Sequence, residues 1–226
     1  LVAQDWAARG SSLASSSAAS DVYRRQLRQP RRSAHPVSRR AARPEPRAKA
    51  HKQTARDQQG RVGGDLDLFV GGRLRPQDYP APADSYLLRN DGGKFTDVTA
   101  ELAPFLINFG LVTAAEWSDL DADGKPDLLV VGEWMPITKL MNKGNRFERQ
   151  DETFFLGEPT TGWWFSLSKT DLDGDGDDDF VFGNLGRNYK YKAIPAEPFE
   201  VFYDDFDGNG RRDIVLSYYN DGKQFP

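Results

Sequence analysis

Asp171-Leu172-Asp173-Gly174-Asp175-Gly176-Asp177-Asp178-Asp179 places acidic side chains at loop positions 1, 3, 5 and 9 and glycine at position 6. The apolar run Phe180-Val181-Phe182-Gly183 follows at once. The same order occurs twice more. Asp119, Asp121, Asp123 and Asp127, with Gly124 at position 6, precede Leu128-Leu129-Val130-Val131. Asp205, Asp207, Asn209 and Asp213, with Gly210 at position 6, precede Ile214-Val215-Leu216.

Carboxylates packed this closely repel one another unless a cation sits among them or water screens them. Glycine at position 6 permits the positive-φ turn that brings position 9 back toward position 1. Every donor is an oxygen, which suits a hard cation, and calcium tolerates many ligands in loose geometry better than magnesium does. Zinc is disfavoured because cysteine is absent and His35 and His51 lie far away in sequence. An EF-hand would need an acid at position 12 followed by a helix. Position 12 is instead Val130, Phe182 and Leu216, each inside a β-type run. The loop therefore opens a strand. The expected ligands are side chains 1, 3, 5 and 9 with the main-chain carbonyl at position 7, namely Lys125, Asp177 and Arg211, completed by water. A solvated acidic turn without metal is the competing reading, and three matching copies weigh against it.

Charge divides the 226-residue chain. Residues 1–62 carry 14 Lys/Arg against 4 Asp/Glu, whereas residues 63–226 carry 16 against 30. Such halves do not read as one continuous fold. The first is rich in Ala, Ser, Arg, Gln and Pro, and is expected to be a basic, disordered segment. A nucleic-acid or anionic-surface arm is a weaker reading of it. Gly64-Asp65-Leu66-Asp67-Leu68-Phe69-Val70 resembles the end of an acidic loop and its strand. Positions 1, 3 and 5 would then be Gln59, Arg61 and Gly63, none of them acidic. No site is expected at Asp67, and a shifted reading frame before residue 62 would explain the half-loop. The absence of cysteine excludes disulfides and thiol chemistry. No apolar run reaches the ~20 residues of a membrane helix.

Past residue 62 the pattern repeats. Strands are expected at 67–72, 86–90 and 94–98, with a short helical turn within 99–108. A second series follows at 128–132, 137–141 and 146–149. Leu88-Arg89-Asn90-Asp91-Gly92 corresponds to Leu140-Met141-Asn142-Lys143-Gly144, 52 residues later. Position-9 aspartates recur at 67, 127, 179 and 213. Units of this size, with about four short strands and an acidic loop, cannot bury both sheet faces alone; radial stacking can. The expected fold is all-β, a partial β-propeller of about three four-stranded antiparallel blades over 63–226, with further blades supplied by other parts of the chain.

The acidic loop followed by an apolar strand resembles the FG-GAP/VCBS repeats of integrin-α-type propellers. Leu88-Arg89-Asn90-Asp91-Gly92-Gly93-Lys94-Phe95-Thr96-Asp97-Val98-Thr99 resembles the linking hairpin of the ASPIC/UnbV group, similar to cartilage acidic protein. The resemblance covers residues 63–226. It implies about three structural Ca2+ ions on the blade rim and a secreted or bacterial cell-surface location. The side-chain ligands it implies are Asp119, Asp121, Asp123, Asp127, Asp171, Asp173, Asp175, Asp179, Asp205, Asp207, Asn209 and Asp213. Asn209 in place of an acid lowers the charge of the third loop.

Two further stretches stand out. Trp163-Trp164-Phe165 could stack on sugar rings, although core packing is the plainer reading. Residues 184–192 mix cations with tyrosines and could hold an anionic glycan, against the plainer reading of a linking loop. Glu116 and Glu133 show no acid–base partner in sequence, and there is no nucleophile motif, phosphate loop or dinucleotide fingerprint. The expected function is a non-enzymatic extracellular module that binds a protein or glycan, with no nucleic-acid partner. The alternative is an accessory propeller of a polysaccharide-active lyase or hydrolase whose catalytic part lies elsewhere.

Overall fold

The computed structural model describes Val2–Asp5, Tyr23–Arg25 and residues 66–152, 154–155, 158–185, 189–191, 193–194 and 196–226. Within 1–62 two short strands are described, β1 (Val2–Asp5) and β2 (Tyr23–Arg25). The remaining expectation for that segment, including the half-loop at Gln59, Arg61 and Gly63, lies outside the described residues.

Four strand units follow. The first is β3 (Leu68–Val70), β4 (Tyr86–Asp91) and β5 (Lys94–Asp97), an antiparallel meander with Leu68 opposite Leu88 and Leu88 opposite Asp97. The expected helical turn is α1 (Thr99–Leu102) with a 3-10 turn at Pro104–Leu106. The second unit is β6 (Leu111–Ser118), β7 (Asp127–Met135), β8 (Ile137–Asn142) and β9 (Phe147–Glu152). A hairpin of β10 (Phe154–Phe155) and β11 (Glu158–Pro159) leads to the third unit, β12 (Gly162–Thr170) and β13 (Asp179–Asn184). The fourth is β14 (Phe199–Asp204), β15 (Asp213–Asn220) and β16 (Lys223–Phe225).

The architecture is all-β and propeller-like. Among the described residues only the second unit carries all four strands, and the others hold three, two and three of their own. Apart from the two-stranded hairpin, the described strands form a seven-stranded, a four-stranded and a three-stranded sheet, in keeping with the expected three or so blades. Strand β1 lies antiparallel on β13, pairing Val2 with Phe182, and β2 lies parallel on β14, pairing Tyr23 with Phe199. Both cover sheet edges that would otherwise show unpaired N–H and C=O groups.

The second unit explains why the sequence alternates so little in β7. Its nine residues are all buried. Leu128 and Val130 face one way and pack with Phe69, Leu87, Trp117 and Phe147, joining the first unit to the second. Leu129 and Val131 face the other way and pack with Trp164, Leu167, Phe180 and Phe182, joining the second to the third. A strand buried on both faces reads as a continuous apolar run. Each fully buried Leu or Phe contributes about 1.5–3 kcal/mol relative to exposure. A third cluster holds Leu111, Trp134, Phe199 and Val201 together and reaches the fourth unit.

Candidate metal centres

Each complete acidic loop links the first two strands of its unit: β6 to β7, β12 to β13, and β14 to β15. The turn requires left-handed backbone at two points. Position 6 is Gly124, Gly176 and Gly210, with φ of 80°, 94° and 82°. Position 4 also has positive φ, at Gly174, Gly208 and, less comfortably, Ala122.

These turns gather carboxylates. Asp119, Asp121 and Asp127 each place an oxygen within 4.8 Å of the others. The same holds for Asp171, Asp173 and Asp179, and for Asp205, Asp207 and Asp213. Positions 1, 3 and 9 are thus brought together in all three loops. The position-5 side chains help to close the turn, and the Asn209 amide donates to Asp207 Oδ2 at 2.8 Å. Asp123, Asp175 and Asn209 accept the N–H of position 7 at 2.9, 2.9 and 2.8 Å, from Lys125, Asp177 and Arg211.

Position 1 also accepts from the turn. Asp119 takes the N–H groups of Asp123 and Gly124, and Asp205 those of Asn209 and Gly210. Asp171 takes those of Gly174 and Gly176. Position 9 accepts the N–H of position 2 in every loop: Leu120 to Asp127, Leu172 to Asp179 and Phe206 to Asp213. These bonds hold the charged side chains in place.

The donor set fits a hard cation, being oxygen throughout. In the first loop an ammonium group already stands beside it. Lys143 Nζ lies 2.8 Å from Asp121 Oδ2, and Lys125 Nζ lies 2.6 Å from Asp123 Oδ2. The bond to Asp121 raises the Lys143 pKa, and the bond from Lys125 lowers that of Asp123. Burial pushes the Asp127 carboxyl up, although two main-chain N–H groups oppose the shift. A divalent cation beside it would work in the same direction as those N–H groups.

Other expected residues settle differently. Trp164 is buried, with its indole N–H donated to the Thr160 carbonyl. Trp163 lies on the opposite face and stacks between Trp134 and Phe165, with ring centroids 5.0 and 6.0 Å away. Phe165 is 42% exposed. Around the 184–192 stretch, Tyr191 stacks on Phe199 and the Lys190 ammonium lies 5.0 Å from the Tyr191 ring.

Glu133 does have partners, though none of them is visible in the sequence. It is buried, paired with the Arg73 guanidinium, and accepts from Tyr79 Oη at 2.8 Å. Tyr79 in turn accepts the Trp134 indole N–H at 2.8 Å. Burial and the Glu133 charge push the Tyr79 phenol well above its ordinary value. These contacts span 54 to 60 residues, and the chain carries no local signal for them.

The model of the FG-GAP-like repeat matches twice, over residues 64–130 and 119–182. Together these cover more than half of the chain. It belongs to the FG-GAP-like repeat family. Both matches run through acidic loops and the strands after them, and the third loop lies beyond them. Comparisons with curated proteins and with solved structures gave no match. FG-GAP-like repeats form propeller-like folds and are typical of extracellular proteins. Among the described residues, no helix is long and apolar enough to cross a membrane.

Proposed function

We propose that this FG-GAP-like chain is a calcium-stabilised, non-enzymatic module that works outside the cell by binding a protein or glycan. One observation carries the metal reading: the threefold convergence of positions 1, 3 and 9 into all-oxygen clusters. An ammonium group beside the first of them supports it by acting as a stand-in cation. The proposed ligands are Asp119, Asp121 and Asp127, Asp171, Asp173 and Asp179, and Asp205, Asp207 and Asp213. The position-5 side chains and the position-7 carbonyls of Lys125, Asp177 and Arg211 complete the proposed sets. Calcium would neutralise each cluster and tie folding to metal. The linking hairpin Leu88–Thr99 favours the ASPIC/UnbV branch, with integrin-like and cartilage-acidic-protein-like relatives, and a secreted or cell-surface setting. The exposed Phe165 ring beside Trp163 favours a glycan among the partners, because sugar faces stack on such surfaces.

The test is thermal unfolding of the full chain in calcium, in magnesium and in chelator, with calorimetric titration for stoichiometry. About three calcium ions and a midpoint raised by calcium alone are expected. A midpoint indifferent to calcium would return the loops to solvated turns.

A further inference from the structure

The first two acidic loops are joined by side chains that belong to neither carboxylate cluster. Ser118 ends β6, one residue before Asp119, and is 4% exposed. Its hydroxyl donates to Asp178 Oδ2 at 2.6 Å. Asp178 is position 8 of the second loop, between the proposed carbonyl ligand at Asp177 and the cluster member Asp179. Lys169, in β12, places Nζ 3.0 Å from the same Asp178 oxygen and 3.1 Å from the Trp117 carbonyl, to which it donates. The Lys169 side chain is only 13% exposed, so water screens this pairing weakly. One carboxylate of the second loop therefore holds both the hydroxyl and, through a lysine, the main chain that lead into the first.

The other neighbouring loops lack this link. The residue at position 8 of the third loop is Arg212, which donates to Tyr203 Oη within its own unit at 3.3 Å. Position 8 of the first loop is Pro126, which has no polar side chain to offer. Among the described residues, the bridge joins one pair of loops.

We propose that Ser118, Lys169 and Asp178 are positioning residues that couple cation binding at the first two loops, while the third loop binds independently. The inference rests on the metal reading above. A cation in the second loop would fix the main chain through 177–179, and with it the Asp178 carboxylate. That carboxylate holds Ser118 and so presets Asp119. The ordering cost of the shared segment is met by the first ion, and the second ion meets less of it. By linkage the effect runs equally in both directions.

The experiment is calcium titration of the full chain by calorimetry, in single-loop variants combined with Ser118→Ala. Asp171→Asn disables the second loop and Asp205→Asn the third. Asp171→Asn is expected to weaken calcium at the first loop about fivefold or more, the lower range of measured couplings. Asp205→Asn should leave the first loop unchanged. In the Ser118→Ala background, Asp171→Asn should no longer affect the first loop, whereas Thr170→Ala, at the corresponding place before the second loop, should not break the coupling. Equal effects of Asp171→Asn and Asp205→Asn, or persistence of the coupling in Ser118→Ala, would overturn the proposal while leaving the metal reading intact. Absence of calcium binding in the unmodified chain would remove both.

Discussion

Asp67 Oδ1 accepts the main-chain N–H of Asn90 at 2.8 Å. The same bond recurs one unit later, from Asn142 to Asp127 at 2.6 Å. In both places the Asn side chain then accepts the N–H of a glycine in the following turn, Gly93 or Gly144. In these two units the position-9 aspartate therefore has a structural task of its own, tying the start of the strand that follows it to the outer hairpin. That task explains an aspartate at 67, although Gln59, Arg61 and Gly63 in the sequence before it are not acidic.

The two aspartates should therefore separate on substitution. Asp67→Asn keeps an acceptor oxygen and should leave calcium stoichiometry unchanged, with a loss of about 1 kcal/mol or less; Asp67→Ala should cost about 1–3 kcal/mol. Asp127→Asn should instead lose most of the calcium-dependent rise in the midpoint at its loop. Equal loss of calcium-dependent stabilisation in both Asn variants would show that Asp67 is also a ligand.

Ala122 has φ of 56° where the other two loops use glycine. Ala122→Gly should relieve that strain and stabilise the folded chain by about 0.5–1 kcal/mol, after the added freedom of the unfolded state is counted. Urea unfolding in chelator measures it without interference from metal. A loss of stability would mean the alanine methyl makes a contact worth more than the strain.

On the proposed metal reading, Lys143, paired with Asp121 at 2.8 Å, would compete with the cation for that carboxylate. Lys143→Met should raise calcium affinity at the first loop severalfold, and should do so more at low salt than at high salt. Titration at two ionic strengths reads both effects. Unchanged affinity would show that the ammonium swings clear at no cost when metal arrives.

Glu133→Ala should destabilise the chain by about 3 kcal/mol, because it leaves Arg73 and Tyr79 without their buried acceptor. The loss should be the same with calcium and with chelator, since the cluster lies outside the acidic loops. A calcium-dependent loss would connect the two regions and contradict that separation.

Burial pushes the Glu116 carboxyl up, with Lys169 opposing the shift and Asp178 adding to it. A raised acid costs stability as pH climbs from its unfolded value toward its folded one, and the full penalty stands above both. Glu116→Gln should thus be more stable than the parent at about pH 7, with the difference fading below the ordinary Glu value of about 4.3. Melting curves across that range decide it. A variant less stable at neutral pH would mean the Lys169 attraction outweighs burial.

The loops and their strands were legible because their information is local. Nine residues specify an acidic turn, and Phe180 and Phe182 announce the strand after it. The hairpins at Asn90 and Asn142 were legible for the same reason. The partners of Glu133 and the bridge from Ser118 to Asp178 were not, because each joins residues about 60 positions apart and uses ordinary polar side chains. The bonds that position 5 accepts from the N–H of position 7 were also hidden. Spacing places that side chain in the turn but does not choose between a cation and the N–H of position 7.

Strand β7 is enclosed on both faces and paired along both edges, by β6 and by β8 with the first residues of β12. Its amide hydrogens can meet solvent only after two neighbouring units have parted. Exchange with deuterium there should report global opening of the domain, whereas amides in the fourth unit, where Ile214, Val215 and Leu216 are exposed, report local fluctuation. The chain thus carries a gradient of protection that runs outward from one nine-residue strand.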